Sequence, residues 1–262
     1  MRSMNRWLEV IVIACGISLL ALAGLAQAAH EKTFSSPQHA SNALYVAVES
    51  GDQAQIVAVL GGDLQLVSTD NNSNDQQERQ TFAKKYQEMH RLMRRSDGAM
   101  ILYVGADNWP FPVPIVKKNG RWYFDADKGS KEILYRRVGA NEITAIETCH
   151  ALVEQGNPSA AASSLNHPQE DQALLQYAHE VVSGQGDTEQ HPFDGYYFRK
   201  LSASDGVAYV AYPAQYRSSG VMTFVVTSDG KIYQKDLGPK TEALAKEIKD
   251  WKADKGWSPA AE

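Results

Sequence analysis

The run 105–142 constrains the fold of this chain more than any other segment. Near its centre, two short stretches, Ile115–Lys118 and 121–125, flank the dipeptide Asn119-Gly120. Asn-Gly favours the type I′ turn of a β-hairpin, because both central residues of that turn need a positive φ. Side chains alternate along a strand, so Trp122 and the residue two positions later should share one face. The run therefore predicts an antiparallel hairpin with an aromatic face.

The segments on either side of this hairpin carry local signals of their own. Pro110, Pro112 and Pro114 cannot donate hydrogen bonds to a ladder, which predicts an edge or a crossing segment before the hairpin. After the hairpin, Asn141 is a favourable N-cap and Glu142 suits the positive end of a helix dipole. An amphipathic helix is therefore predicted to begin at residue 141 and to run until the next Gly-Asn-Pro sequence.

The start of the chain is typical of a secretory signal peptide. Two arginines precede an apolar stretch over 10–25, and Ala26-Gln27-Ala28 matches an A-x-A cleavage site. Removal of residues 1–28 would leave a periplasmic or secreted protein without a transmembrane span. The alternative is a lipid anchor, because Val12-Ile13-Ala14-Cys15 resembles a lipobox.

Cysteine content and charge limit the function classes further. After cleavage Cys149 is the only cysteine, so an intramolecular disulfide is not predicted. The full chain has a formal net charge of −5, from 26 basic and 31 acidic residues. It lacks the basic excess that nucleic-acid binding requires.

The region before the hairpin is predicted to be mostly helical. Apolar residues at helical spacing indicate helices over 37–50 and Gln53–Leu60, each followed by glycine. A polar loop over 70–75 and a long helix over 76–95 should follow, and then a strand at Met100–Val104. The long helix would bury one stripe: Phe82, Tyr86, Met89 and Met93.

The C-terminal half is predicted to be rich in strands after a helix over 166–182. Strands are expected over 195–201, 206–212, 221–227 and 231–235, and the last two should be joined by an Asp-Gly turn. A final helix should open at Pro239, with one apolar stripe: Leu244, Ile248 and Trp251.

Two blocks of residues carry a family resemblance. The first comprises W-P-F-P-V-P from Trp109, G-R-W-Y-F-D from Gly120, and R-R-V-G-A-N-E from Arg136. The second comprises A-Y-P-A from Ala211, S-G-V-M-T-F-V-V from Ser219 and K-D-L-G from Lys235. With these blocks, the chain from Phe34 onward closely resembles the exported bacterial family called Domain of Unknown Function 2950. The chain lacks Gly-rich segments that members of this family carry before the strand at Gly195. The resemblance implies an architecture and no activity.

The predicted fold class is α+β, with two subdomains after the signal peptide. Residues 29–140 should pack helices on antiparallel hairpins, which is similar to the cone of cystatin-like or nuclear-transport-factor-like domains. Residues 141–262 should form a helix followed by an antiparallel meander, which resembles the globular part of pilin-like proteins. Both likenesses are fold-level analogies and imply no function.

Recognisable catalytic motifs are absent from the sequence. It has no G-x-S-x-G elbow, P-loop or dinucleotide fingerprint, and no H-x-x-x-H pair, so neither a cofactor nor a metal is predicted. The candidate binding residues are six charged side chains of the run 105–142: Asp107, Asp125, Asp127, Arg136, Arg137 and Glu142. They could line a pocket in which burial separates carboxylate pKa values. Alternatively, they could form an Arg–carboxylate network that holds the hairpin to the helix.

Three hypotheses of function follow from the sequence. The leading one is an exported envelope protein that acts as a non-enzymatic binding or interaction module, with an envelope protein as its partner. The second is a small-molecule-binding or hydrolase-like enzyme with a pocket near Asp125 and Arg136. The third is a pilin-like assembly component, which would need to keep its N-terminal helix.

Overall fold

The computed structural model describes residues 32–62, 72–156, 172–185, 190–204, 206–252 and 254–260. The predicted signal peptide, Cys15 and the first part of the helix predicted over 166–182 lie outside the described residues. Within them, helices accompany two mainly antiparallel sheets, which confirms the predicted α+β class. None of the described helices combines the length and the apolar character required to cross a membrane.

The helices and strands have the following bounds. The helices are α1 Pro37–Ser50, α2 Gln53–Leu60, α3 Asn72–Glu88, α4 Ala126–Gly156, α5 Gln172–Ser183 and α6 Thr241–Glu247. The first sheet contains β1 His90–Arg94, β2 Met100–Val104, β3 Trp109–Pro110, β4 Ile115–Lys118 and β5 Arg121–Phe124. The second contains β6 Tyr196–Ala203, β7 Gly206–Pro213, β8 Met222–Thr227, β9 Ile232–Asp236, β10 Asp250–Trp251 and β11 Ser258–Pro259.

Strands β4 and β5 form the predicted hairpin. Asn119 has φ 51° and Gly120 has φ 79°, the left-handed values that a type I′ turn requires. Trp122 and Phe124 are buried on one face, and Tyr123 between them is only half-buried. The local turn chemistry and the alternation of side chains were therefore sufficient to predict this element.

The first sheet has the strand order β1-β2-β4-β5, and β3 pairs only with β2. The segment with Pro110, Pro112 and Pro114 thus pairs with the sheet only over the two residues of β3, as expected because proline lacks an N–H donor. At the β5 side, Phe34 exchanges two backbone hydrogen bonds with Trp122, of 2.7 and 2.9 Å. Strand β1 lies at the opposite edge of the sheet.

Helices α1, α2 and α3 form one core with the first sheet. Leu44 of α1 is 1% exposed, and Leu102 and Val104 of β2 are fully buried in the same cluster. The helices at 37–50 and 53–60 are confirmed. Ser36 caps α1 by accepting a hydrogen bond from the His39 amide, as the N-cap pattern predicts.

The helix predicted over 76–95 is wrong at both ends. Helix α3 already starts at Asn72, within the predicted polar loop, and it ends at Glu88, after which the chain turns into β1. The amide of Gly105 donates to the carbonyls of Lys85 and Met89, which closes the helix end against β2. The apolar spacing across this junction is the same as in a longer helix, but the pairing of β1 with β2 outweighs the local helix propensity.

The helix predicted to begin at Asn141 is part of one long helix, α4. Asp125 marks its start, because its carboxylate accepts a 3.0 Å hydrogen bond from the Lys128 amide. Asn141 is therefore no N-cap; its side-chain amide donates to the Ser219 carbonyl at 2.8 Å. The predicted subdomain limit between residues 140 and 141 falls inside α4.

The second sheet is the predicted meander, with the order β10-β6-β7-β8-β9-β11. Strand β7 is buried on both faces: Tyr209 and Ala211 pack toward α4 and α5, and Val210 and Tyr212 pack toward α6. A strand that is buried on both faces has apolar residues at successive positions, and the sequence of β7 shows such a run.

The last helix is shorter than predicted. Gly238–Lys240 forms a 3-10 turn, and α6 ends at Glu247. Trp251 lies in β10, which pairs parallel to β6, so the predicted stripe is not helical. Leu244 is 39% exposed, whereas Ala245 is buried against the sheet.

Candidate functional site

The structure places the six predicted site residues in the turn between β2 and β3, at the start of helix α4 and along that helix. Asp107 lies in the turn between β2 and β3 and forms a 2.7 Å ion pair with Lys85 of α3. The hydrogen bond from the Lys85 ammonium holds the pKa of Asp107 below its ordinary value. Asp125 caps α4 and pairs with Lys128 at 3.2 Å. Asp127 and Arg137 are exposed.

Arg136 and Glu142 make the most specific contacts of the six. The Arg136 guanidinium donates to Glu132 and to the Pro110 carbonyl, both at 2.8 Å, and lies 5.4 Å from the centre of the Trp109 ring. One carboxylate oxygen of Glu142 accepts hydrogen bonds from the amides of Val221 and Met222, at 2.9 and 3.0 Å. Arg136 thus ties α4 to the segment before the hairpin, and Glu142 ties α4 to the second sheet.

Within the described part of the chain, no hydrogen bond or ion pair joins two of the six residues. Asp125 alone among them borders a cavity of about 470 Å³, between the β1–β2 turn, the hairpin and the start of α4. The other charged groups around that cavity are Arg94, Asp97, Lys117 and Lys128.

A larger cavity lies elsewhere, between helix α1, the end of α3 and strand β1. We call it the α1–β1 groove; its volume is about 650 Å³, within the ~300–1,000 Å³ of small-ligand sites. Helix α1 contributes Gln38, His39, Ser41, Asn42 and Tyr45, α3 contributes Tyr86 and Gln87, and β1 contributes His90, Arg91 and Leu92.

Three stacked rings form part of the groove wall. The rings of Tyr45 and Tyr86 lie 4.7 Å apart at 12°, and those of Tyr86 and His90 lie 3.9 Å apart at 8°. The stack arises because Tyr86 and His90 flank the bend from α3 to β1, opposite Tyr45 of α1. Parallel packing fixes the orientation of the His90 ring in the groove wall.

Hydrogen bonds hold these rings in place. The hydroxyls of Ser41 and Tyr86 are 2.9 Å apart in a buried position, and burial raises the pKa of Tyr86. His90 Nδ1 lies 2.9 Å from the Tyr86 carbonyl oxygen. A carbonyl only accepts, so Nδ1 carries the proton and donates, which leaves Nε2 for a ligand.

A second hydrogen-bond chain fixes the outer ring of the stack. The Gln87 amide donates to the Tyr45 hydroxyl at 2.5 Å, and this hydroxyl donates to Glu49 at 2.6 Å. The bond to the Glu49 carboxylate raises the pKa of Tyr45. The carboxylate of Glu49 thus binds these neighbours and does not border the groove.

The charges around the groove are of one sign. Arg91 is positively charged, His39 and His90 contribute imidazole rings, and no aspartate or glutamate is among the lining residues. Side-chain amides from Gln38 and Asn42 supply further donors. The arrangement suits a ligand that carries negative charge or many hydrogen-bond acceptors.

Sequence reasoning missed this groove. Its residues come from 38–45 and 86–92, which are far apart in the sequence, and the helix predicted to residue 95 placed His90 in a regular helix. The available signal was the repeated combination of histidine and tyrosine in both segments. Only the bend between α3 and β1 brings these side chains together.

Thiol or metal chemistry would require a reactive Cys149 or a cluster of metal ligands. Cys149 is fully buried in the second core, and burial raises the pKa of its thiol, so a reactive thiolate is disfavoured. The described residues contain no cluster of three or more histidine, cysteine, aspartate or glutamate side chains arranged to hold a metal ion.

These features define a mixed α+β protein with two sheets and a polar aromatic groove at one edge of the first. The chain belongs to the family described as Protein of unknown function (DUF2950), whose model matches residues 31–198 and 156–260. This match confirms the resemblance carried by the two motif blocks. No curated protein matches the chain. Comparison with solved structures likewise finds no match.

Proposed function

We propose that this protein is an exported bacterial envelope protein that binds a ligand or partner in the α1–β1 groove and performs no catalysis. The observation that carries the proposal is the Tyr45–Tyr86–His90 stack, which is preformed and bordered by hydrogen-bond donors. A preformed site loses little conformational entropy when a ligand binds.

The composition of the groove supports binding of an acceptor-rich ligand. Arg91 provides charge, the imidazole rings of His39 and His90 provide further polar groups, and the amides of Gln38 and Asn42 provide neutral donors. A binding site of this kind needs a few placed polar groups on an aromatic wall. The likeness to cone-shaped folds is part of the proposal, because helices α1 and α3 pack with one antiparallel sheet and the groove lies between them.

Export is the second part of the proposal, and the predicted signal sequence over residues 1–28 supports it. Mass spectrometry of the protein purified from its source should give a chain that starts near Ala29. A chain that starts at Cys15 and carries acyl groups would support the lipid-anchored alternative. A mass that includes residues 1–28 would contradict cleavage.

Binding is tested by NMR titration of the labelled protein with three probes: a small dicarboxylate, inorganic phosphate and acidic peptides. We expect at least one probe to shift the resonances of Tyr45, Tyr86 and His90. His90→Ala should weaken that binding about tenfold, as the loss of one hydrogen bond and of one ring of the stack predicts. His179→Ala, an exposed histidine on α5, is the matched control.

Two outcomes would contradict the binding proposal. One is binding that His90→Ala leaves unchanged, which would place the site elsewhere. The other is turnover of a probe, which would favour the enzyme alternative.

A further inference from the structure

Among the described residues, strand β1 pairs with β2 only, and its other backbone edge has no partner strand. Along an antiparallel pair, residues alternate between those that bond to the partner strand and those whose N–H and C=O groups point away from it. The Gly105 amide donates to the Met89 carbonyl, and the Arg95 amide donates to the Ala99 carbonyl. With the register of β1 on β2, the bonded residues of β1 are therefore Arg91 and Met93.

The same alternation directs the backbone groups of His90, Leu92 and Arg94 outward. Strand β2 confirms the pattern, because Leu102, the partner of Leu92, accepts from the Phe111 amide on its other side. No backbone group of any described residue bonds to the outward groups of β1. The other edge of the sheet differs, since Phe34 covers β5 there.

The free edge opens into the α1–β1 groove. His90, Arg91 and Leu92 border the groove on the sheet side, and Gln38 and Asn42 of α1 border it on the other. An edge strand flanked by a helix can accept an extended peptide, which pairs with the strand and places alternate side chains against the helix. Five residues of strand extend over about 17 Å, enough for a peptide of similar length.

Charge selects among such peptides. Arg91 and Arg94 are exposed on β1, and the Arg91 guanidinium lies 5.6 Å from the centre of the Tyr103 ring, where its N–H groups remain able to donate. Charged side chains on an edge strand discourage pairing with strands of the same sign. A second copy of β1 or a basic peptide is repelled, whereas an acidic peptide is attracted.

We propose that the α1–β1 groove binds an extended acidic peptide segment of a partner protein, which adds as a strand to the free edge of β1. This inference rests on the proposed binding function and names its ligand class. The backbone of His90, Leu92 and Arg94 provides the pairing, and Arg91 and Arg94 provide the preference for acidic side chains.

The test uses an array of heptapeptides that alternate glutamate with valine or threonine, and a matched array with lysine in place of glutamate. We expect binding only to the acidic array, weakened by added salt. In hydrogen exchange, the amides of His90, Leu92 and Arg94 should gain protection when an acidic peptide is bound. The amides of Arg91 and Met93, already paired with β2, should not change.

One change to the peptide and one to the protein separate the contribution of backbone pairing from that of charge. N-methylation of alternate peptide amides should weaken binding about tenfold for each lost backbone hydrogen bond, and this change leaves the protein intact. Arg91→Gln combined with Arg94→Gln should weaken binding about tenfold, as expected for lost charge complementarity. The control pair is Lys131→Gln with Lys249→Gln, both exposed and distant in sequence from β1.

Several results would overturn the proposal. Peptide binding that N-methylation does not weaken, without protection of the outward amides, would exclude strand addition and leave the binding function standing. A small dicarboxylate that binds as tightly as the peptides would also exclude strand addition and would leave the binding function standing. Dimers of the protein that protect these amides without peptide would assign the edge to a second copy. Failure of every probe at the groove would instead contradict the proposed function itself.

Discussion

Asp229 shows how single contacts set the chemistry of one side chain. In the turn between β8 and β9, its carboxylate lies 2.7 Å from the Lys231 ammonium and 2.6 Å from the Thr227 hydroxyl. These hydrogen bonds, the one from Lys231 foremost, lower the pKa of Asp229 to about 2. A lowered pKa stabilises the fold above the unfolded pKa of about 3.9, and this stabilisation is lost as the pH falls toward 2.

Lys231→Met should therefore raise the pKa of Asp229 toward about 3.9. The measurement is the carboxyl carbon shift of Asp229 between pH 1.5 and 6, a range of ~2 units on either side of that value. Lys118→Met, beside the turn of the first hairpin, should leave the titration unchanged. An unaltered midpoint in the Lys231 variant would show that the ion pair does not set this pKa.

Two glycines differ in what their backbone requires. Gly120 has φ 79° in the hairpin turn, whereas Gly139 lies in helix α4, and an added Cβ would meet no atom within 4 Å at either site. Gly120→Ala should lower the free energy of unfolding by about 1 kcal/mol, because the left-handed region is unfavourable for alanine. Gly139→Ala should raise it by up to about 1 kcal/mol, because alanine favours the helix. Urea denaturation measures both, and changes of equal sign would contradict the explanation.

At the scale of elements, helix α4 is the connecting member of the fold. It starts beside the first sheet at Asp125, and its C-terminal half packs on the second sheet through Cys149 and Leu152. Asn141 and Glu142 attach its middle to the segment 219–222 before and within β8. The same helix thus contributes contacts to both parts of the chain.

Glu142→Ala should lower the free energy of unfolding by about 2 kcal/mol, since hydrogen bonds to a charged group contribute ~1.5–3 kcal/mol. Glu142→Gln keeps one carbonyl acceptor and should cost less. The control is Glu147→Ala, exposed on the same helix, with a change within about 0.5 kcal/mol. Equal losses in Glu142→Ala and Glu147→Ala, measured by urea denaturation, would show that the two amide bonds do not stabilise the junction.

At the scale of the whole molecule, the buried residues divide into separate cores. The core of the first sheet contains residues from 34 to 124, and the cores on the two faces of the second sheet contain residues from 145 onward. The buried clusters share no residue. We therefore expect local opening of one part of the chain to leave the other part closed.

Native-state hydrogen exchange tests this independence. Ile115→Val should cost about 1 kcal/mol and should accelerate exchange in β2, β4 and β5 while the amides of β7 and β8 keep their rates. Val226→Ala should have the reciprocal effect. Equal acceleration of both sheets by either variant would show that the cores unfold as one unit.

Sequence alone predicted the elements whose determinants are local. The Asn119-Gly120 and Asp229-Gly230 turns join strands as expected, and the Ser36 cap starts α1 where predicted. These features depend on the φ preferences and hydrogen bonds of a few consecutive residues, which the sequence contains in full. The family was accessible because its motif blocks are contiguous in the sequence.

Tertiary structure alone decided where helix gives way to strand and which side chains meet. Helix α3 ends at Glu88 because β1 pairs with β2, and Asn141 lies inside α4 because the helix begins beside the hairpin. The α1–β1 groove likewise combines residues from segments that are distant in sequence, and the edge of β1 that borders it exists only because β1 pairs with β2. Long-range pairing and burial contribute more free energy than local propensity, so the sequence by itself could not reveal them.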